Sequence, residues 1–230
     1  MEGFDEDDYD ERRNKPEGTT VQLIGCFLRY TLTSGLVQDV KRQEVRVRLN
    51  SNKAMAVINK TTVKAEDDGG ISLLRRHSEG WQETNPFLAL IEAKRAFQSL
   101  AYNDNAQYEP IVSDRTLAQY LGEAVHLSVF LIAATNTFVR FVHFRFGNDY
   151  AGYLDTNGAK NQRAFVRRNN DAFVRMQCTE WFDLNTAIGR REALCHVLAL
   201  LRWHDNREEE EGSDSDSDSD SDSINDSDSE

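Results

Sequence analysis

The sequence predicts a mixed α+β domain built around a single sheet, and three observations predict it. Residues Gln43 to Leu49 alternate with the two-residue period of a half-buried strand. Leu194, Val197, Leu198 and Leu201 follow the i, i+3, i+4, i+7 spacing of an amphipathic helix. Between them the segments run helix, several strands, helix, strands, helix, an order that packs helices onto a sheet.

The elements follow in order from local pattern. A helix is expected from about Val21 to Thr33, with Thr20 as N-cap and Leu23, Phe27 and Tyr30 near one face. Val45, Val47 and Leu49 then share one side of a strand whose other side carries Glu44, Arg46 and Arg48. A second strand is expected over Ala54 to Val63, ending in the acidic turn Glu66-Asp67-Asp68-Gly69-Gly70. Ile71 to Leu74 follows, then a polar loop from Arg75 to Asn85, then the apolar run Pro86 to Ile91, short enough for a strand covered on both faces. A helix opened by Ser113 or Asp114 runs to about Val125, with Leu117, Leu121 and Val125 on its apolar side. Leu127 to Ala133 and Phe138 to Phe146 read as a hairpin joined by Thr135-Asn136-Thr137. The last helix is expected from about Thr186 to Trp203, with Asn185 as its cap.

Charge divides the chain into three regions. The whole carries −12 and has a pI of about 4.9. Residues 1–17 hold 8 acids and 3 bases, and residues 205–230 hold 13 acids and the single base Arg207. The intervening residues 18–204 hold 18 acids and 23 bases, so an acidic wrapper encloses a domain of +5. An overall acidic pI therefore does not exclude nucleic acid as a partner, because the field that matters is that of the folded part. Both acidic ends are expected to be disordered; in the second, the Ser-Asp repeat from Ser213 to Glu230 has one apolar side chain, Ile224, to bury. Its serines sit beside acids, the setting that acidophilic kinases favour, and phosphorylation would add to the charge. The tail reads as a solubilising repeat or, alternatively, as a regulator of the basic domain or a dock for a basic partner such as histones.

Other classes lose support. The acidic start MEGFDEDDYDE lacks the basic end and apolar run of a signal peptide. The longest mostly apolar run, Ala124 to Ala134, is far short of the roughly 20 residues that span a bilayer. An intracellular protein, nuclear or cytoplasmic, is expected, neither secreted nor membrane-bound. Cys26, Cys178 and Cys195 form no CxxC, so neither a disulfide framework nor a zinc knuckle is signalled. Neither GxSxG nor a Walker-type glycine loop occurs. His196 reads as ordinary helix packing.

The sharpest local feature is Ile91-Glu92-Ala93-Lys94-Arg95. Residues i and i+2 of a strand share a face, so Glu92 and Lys94 project together from the end of an apolar strand. Burying that pair is costly unless something uses it, and a divalent metal is one such use. A metal needs a second carboxylate. If Ile71 to Leu74 pairs antiparallel with Phe87 to Ile91, Asp67 and Asp68 lie opposite the end of the second strand, whereas Glu79 and Glu83 fall at the far end. Asp-Gly-Gly is also a turn signal in its own right. Gln119 stands four residues before Glu123, on one face of the next helix, where an amide orients a water or phosphate and a carboxylate extends a metal shell. Arg140, His143 and Arg145 interleave with phenylalanines, and Arg163, Arg167, Arg168 and Arg175 form a second basic stretch. Such residues suit a phosphate backbone read without regard to sequence.

Together Ala65-Glu66-Asp67-Asp68-Gly69-Gly70-Ile71, Leu88 to Phe97 around Glu92-Ala93-Lys94, and Leu117 to Ala124 around Gln119 resemble the PD-(D/E)XK nuclease superfamily, specifically a group of fungal proteins within it. The resemblance covers roughly residues 20–155. It implies a restriction-endonuclease-like central mixed sheet flanked by helices, with a core running helix, three strands, helix, strand. It implies Asp68 as the metal-binding aspartate, Glu92 as the second ligand, Lys94 as the catalytic lysine and Gln119 as the glutamine of the following helix. Asp67 and Glu123 are further metal candidates, and Arg95, Arg140, Arg145, Arg167 and Arg168 are candidates for the nucleic-acid backbone. The implied function is a Mg2+- or Mn2+-dependent nuclease acting on nucleic acid, DNA before RNA. The alternative is a non-catalytic interaction protein on the same scaffold whose acidic tail binds a basic partner. No Pro precedes the aspartate.

Overall fold

Alternation in Gln43–Arg48 makes β1: Val45 and Val47 pack against the main core, while Glu44 and Arg46 form an ion pair at 2.8 Å on the outer side. The computed structural model describes residues 17–34, 43–94, 100–102, 108–110, 112–126 and 130–213. Its first element is helix α1 (Glu17–Ser34); after β1 come β2 (Lys53–Ile58), β3 (Thr61–Glu66), β4 (Gly70–His77) and β5 (Gly80–Lys94). Short strands β6 (Leu100–Tyr102) and β7 (Tyr108–Pro110) precede helix α2 (Asp114–His126). The chain continues through β8 (Phe130–Thr135), β9 (Phe138–Phe146), helices α3 (Tyr150–Asp155) and α4 (Ala159–Arg168), β10 (Val174–Cys178), β11 (Phe182–Asp183) and helix α5 (Ala187–Ser213).

The central sheet has the order β1-β4-β5-β8-β9-β10, with β11 also pairing with β9. Every pairing is antiparallel except β5 with β8. A parallel neighbour needs a crossover, and the segment containing α2 provides it. The two faces bury different sets. Ile71, Ile91, Ala93, Ile132, Val139 and Phe141 pack beneath α1 and α5 through Ile24, Leu28, Val197 and Leu201. Leu90, Leu131, Ala133, Val142 and Phe144 pack beneath α2 through Tyr120 and Ala124. Among the described residues, no helix is long and apolar enough to cross a membrane.

Several expected elements hold. Ser113 opens α2, its hydroxyl accepting the Thr116 N–H at 3.2 Å. The β8–β9 hairpin turns at Asn136, whose φ is 54°. Others need correction. On α1 the buried face is Ile24, Leu28 and Leu32, whereas Leu23 and Tyr30 are exposed and Thr20 lies inside the helix. On α5 the cap is Thr186, whose hydroxyl accepts the Gly189 N–H at 2.9 Å, and the helix continues past Trp203 through Ser213.

Residues 54–63 are not one strand but most of the β2–β3 hairpin, a two-stranded arm that turns at Asn59-Lys60. Both turn residues have positive φ, 49° and 65°, the geometry of a tight hairpin turn, reached here without glycine. Residues 75–85 are not a loop either. They are the outer ends of β4 and β5, paired Arg75 with Gln82 and Arg76 with Trp81. Their polarity reflects strands that run beyond the helices covering the inner half, not a lack of strand.

The junction between the arm and β4 depends on two glycines. Gly69 has φ 140°, and a Cβ there would stand 2.6 Å from the Arg48 carbonyl oxygen. At Gly70 a Cβ would stand 2.5 Å from the Ala89 carbonyl oxygen and 3.0 Å from Arg48 Nη2. Gly69→Ala is therefore expected to cost about 1–3 kcal/mol, read as a lower urea midpoint with an unchanged slope. Gly122→Ala, in the middle of α2 with nothing within 4 Å of the new methyl group, is expected to stabilise by about 0.4–1 kcal/mol in the same experiment.

Candidate active site

The inner half of β5 alternates between the two faces of the sheet. Ile91 and Ala93 enter the core beneath α1 and α5, so Glu92 and Lys94 project to the α2 face with Leu90. Glu92 is 1% exposed. Its Oε1 accepts a hydrogen bond from Lys94 Nζ and another from Gln119 Nε2 at 2.6 Å. Lys94 keeps about a third of its side chain accessible, so its ammonium sits between the buried carboxylate and solvent. Gln119 reaches Glu92 because Tyr120 and Ala124 anchor α2 on the sheet.

The antiparallel pairing of β4 with β5 sets Gly70 opposite Leu90 and Ile71 opposite Ala89. The residues before β4 therefore run alongside the end of β5. The Asp68 N–H donates to the Ile91 carbonyl at 3.0 Å, and the Ile91 N–H donates to the Gly69 carbonyl at 2.8 Å. Asp68 Oδ2 in turn accepts the Ala93 N–H at 2.8 Å, which holds this carboxyl beside the residue between Glu92 and Lys94. Burial pushes the Asp68 carboxyl above its ordinary value of 3.8; the Ala93 N–H and the Lys94 ammonium pull it partly back, and Asp67 and Glu66 repel it.

Asp67 faces the other way and is fully buried. Arg48 grips it with both terminal nitrogens, Nη1 to Oδ1 at 2.8 Å and Nη2 to Oδ2 at 2.7 Å. Oδ1 also accepts the N–H groups of Asn52 at 2.9 Å and Gly69 at 3.1 Å. A carboxylate engaged by four donors is spoken for, so its geometry makes Asp67 a tie between β1 and the turn and leaves Asp68, bonded to the Ala93 N–H and attracted by the Lys94 ammonium, as the turn's other carboxyl. Arg48 is the residue that sequence reasoning passed over. Its partner lies 19 positions away, and only the β1–β4 pairing of Arg48 with Gly70 brings the two together.

The remaining candidates are scattered. Arg95 lies outside the described residues, as does the side chain of Glu123. Arg140 is not a surface residue but 8% exposed, with its guanidinium 4.7 Å from the ring centre of Trp181. Arg145 is exposed on β9 opposite Arg175 of β10, and Arg167 and Arg168 are exposed in the last turn of α4. His196 stacks on Phe141 and lies 2.9 Å from the Glu192 carbonyl through Nδ1, an ordinary packed histidine. The three cysteines are free and exposed.

Among the described residues, no group of three or more His, Cys, Asp or Glu is arranged to hold a metal ion. The carboxylates available to one at this site are the pair Asp68 and Glu92. Comparison with protein-family models, with curated proteins and with solved structures found no match. The fold itself defines the class: a mixed α+β protein with a central, mostly antiparallel sheet flanked by helices.

The two adjacent aspartates are expected to respond oppositely to substitution. Asp67→Ala strands a buried guanidinium and is expected to cost about 3–5 kcal/mol by chemical denaturation. Asp68→Asn keeps an acceptor for the Ala93 N–H and removes a charge that folding disfavours, so it is expected to stabilise the metal-free protein at pH 7. The raised Asp68 carboxyl retains a proton that the unfolded chain has already released. Wild-type stability therefore falls as pH rises from about 3.8 through the raised value, and the advantage of Asp68→Asn grows over that window and is flat above it. Denaturation midpoints of both proteins at pH 3.5 and pH 7 measure the difference.

Proposed function

We propose that this chain is a metal-dependent nuclease, hydrolysing nucleic-acid phosphodiesters on a restriction-endonuclease-like scaffold. The observation that carries the reading is the meeting of Asp68, Glu92, Lys94 and Gln119, drawn from three elements, at one end of the sheet. The order α1, β1, β4, β5, α2, β8, with the last strand parallel to β5, supports it, being the helix, three strands, helix, strand of that superfamily, with the β2–β3 arm inserted.

The residues fit Mg2+ or Mn2+. Magnesium is commonly held by one or two carboxylates and keeps several waters, so a pair is sufficient. Asp68, whose ionised form is disfavoured by burial, gains from a neighbouring cation, and Glu92 is a buried carboxylate fixed in orientation by two donors. When bound there, such an ion supplies a Lewis acid for a phosphoryl oxygen and lowers the pKa of a water. The chain does the rest. The Lys94 ammonium, beside Glu92 and open to solvent, donates to a non-bridging phosphoryl oxygen as negative charge grows on it. The Gln119 amide holds Glu92 Oε1, so that the carboxylate need not reorganise during the reaction.

Cleavage of plasmid and of single-stranded oligonucleotides in Mg2+ or Mn2+ tests the reading. Glu92→Gln and Lys94→Ala are each expected to slow cleavage by about 10²–10³-fold, the usual effect of removing one electrostatic donor or ligand. Cleavage that persists unchanged in both variants, or that never occurs in the wild type, would overturn it.

A further inference from the structure

The α2 face of the sheet carries a second polar pair beside the first. Glu92 stands opposite Ala133 of β8, which stands opposite Arg140 of β9. The next rung holds Lys94, Thr135 and Phe138. Residues directly opposed across a sheet project to the same face, so Arg140 and Thr135 share the face of Glu92 and Lys94. Along that rung, Ala133 is the residue between Glu92 and Arg140.

Both polar side chains are more than nine-tenths buried, Arg140 at 8% and Thr135 at 6% exposure. Neither Arg140 Nε nor Thr135 Oγ1 has a hydrogen-bond partner among the described residues. The guanidinium lies against the rings of Trp181 at 4.7 Å and Tyr120 at 6.0 Å, and among the described residues no carboxylate pairs with it. Ring faces orient a cation without neutralising it, whereas a buried charge ordinarily requires a counter-ion. A stacked, planar donor fork lacking an anion is the arrangement that binds phosphate oxygens in pairs.

We infer that Arg140 and Thr135 form an oxyanion subsite that holds a second phosphate of the bound strand. Two strand spacings, about 10 Å, separate the Glu92 and Arg140 backbones, so Arg140 addresses a phosphate other than the one at Lys94. That the phosphate belongs to a nucleic acid rests on the nuclease reading; the affinity for an oxyanion does not.

Inorganic phosphate and the metal-free, full-length protein test the subsite directly. Phosphate is expected to raise the melting temperature and to change the tryptophan fluorescence, and Trp181→Phe is expected to remove the optical change, since the guanidinium lies over that ring. Arg140→Gln is expected to abolish the thermal response, and Arg140→Lys, which loses the fork, to weaken phosphate binding at least about tenfold. Thr135→Val provides a variant expected to fold at least as well as the wild type, because it removes an unpartnered buried hydroxyl, and to bind phosphate about fivefold more weakly. The subsite is wrong if phosphate leaves the wild type unchanged, or if it stabilises Arg140→Gln or binds Thr135→Val as strongly as the wild type. A protein that responds to phosphate but never cleaves loses the nuclease reading and keeps the subsite. One that cleaves without this response loses the subsite alone.

Discussion

The grip of Arg48 on Asp67 is the contact on which the rest of the site depends. A fully buried carboxylate is costly, and here two guanidinium nitrogens and two main-chain N–H groups offset that cost. The guanidinium fits because Gly70 has no side chain where it lies, and the turn closes because Gly69 adopts a backbone that few other residues tolerate. With Asp67 turned toward β1, Asp68 must face the other way, toward the Ala93 N–H. One ion pair thus separates two adjacent acids into a fully buried tie and a half-buried carboxyl bonded to the Ala93 N–H.

The sheet then acts as a coordinate frame. Antiparallel pairing of β4 with β5 brings the turn to the end of β5, and parallel pairing of β5 with β8 sends the chain across the α2 face before it returns. That crossover lays α2 over Glu92, with Gln119 touching the carboxylate and Tyr120 beside Arg140. Residues separated by tens of positions come to share two rungs, Glu92 with Arg140 and Lys94 with Thr135. The opposite face, filled from α1 and α5, is apolar at the same positions along β5. The buried charges Glu92 and Arg140 are therefore both on the α2 side.

That side departs from what stability alone favours. Asp68 has a carboxyl held above its ordinary value, Glu92 is a carboxylate at 1% exposure, and Arg140 is a buried cation resting on aromatic rings. Each of these costs folding free energy, whereas the face beneath α1 and α5 is conventional apolar core.

Much of this was legible from local pattern. The period of Gln43–Arg48, the apolar run ending at Glu92, the cap at Ser113 and the β8–β9 hairpin are encoded within a few residues of themselves. Given antiparallel pairing, so was the approach of the acidic turn to Glu92 and Lys94. The arm escaped because Asn59-Lys60 makes its tight turn without glycine, and the outer half of β5 because strands beyond helix cover carry loop-like side chains. Which aspartate faces the site, and that Arg140 is buried beside it, could not be read locally. Adjacent residues point to opposite sides, and the deciding partners, Arg48 for Asp67 and the Glu92 rung for Arg140, lie 19 and 48 residues away. The sequence by itself determined the elements and the short motif Glu92-Ala93-Lys94, since periodicity and capping are local. Which charges are paired and which, among the described residues, are buried without a counter-ion depends on strand register, and so on the three-dimensional fold.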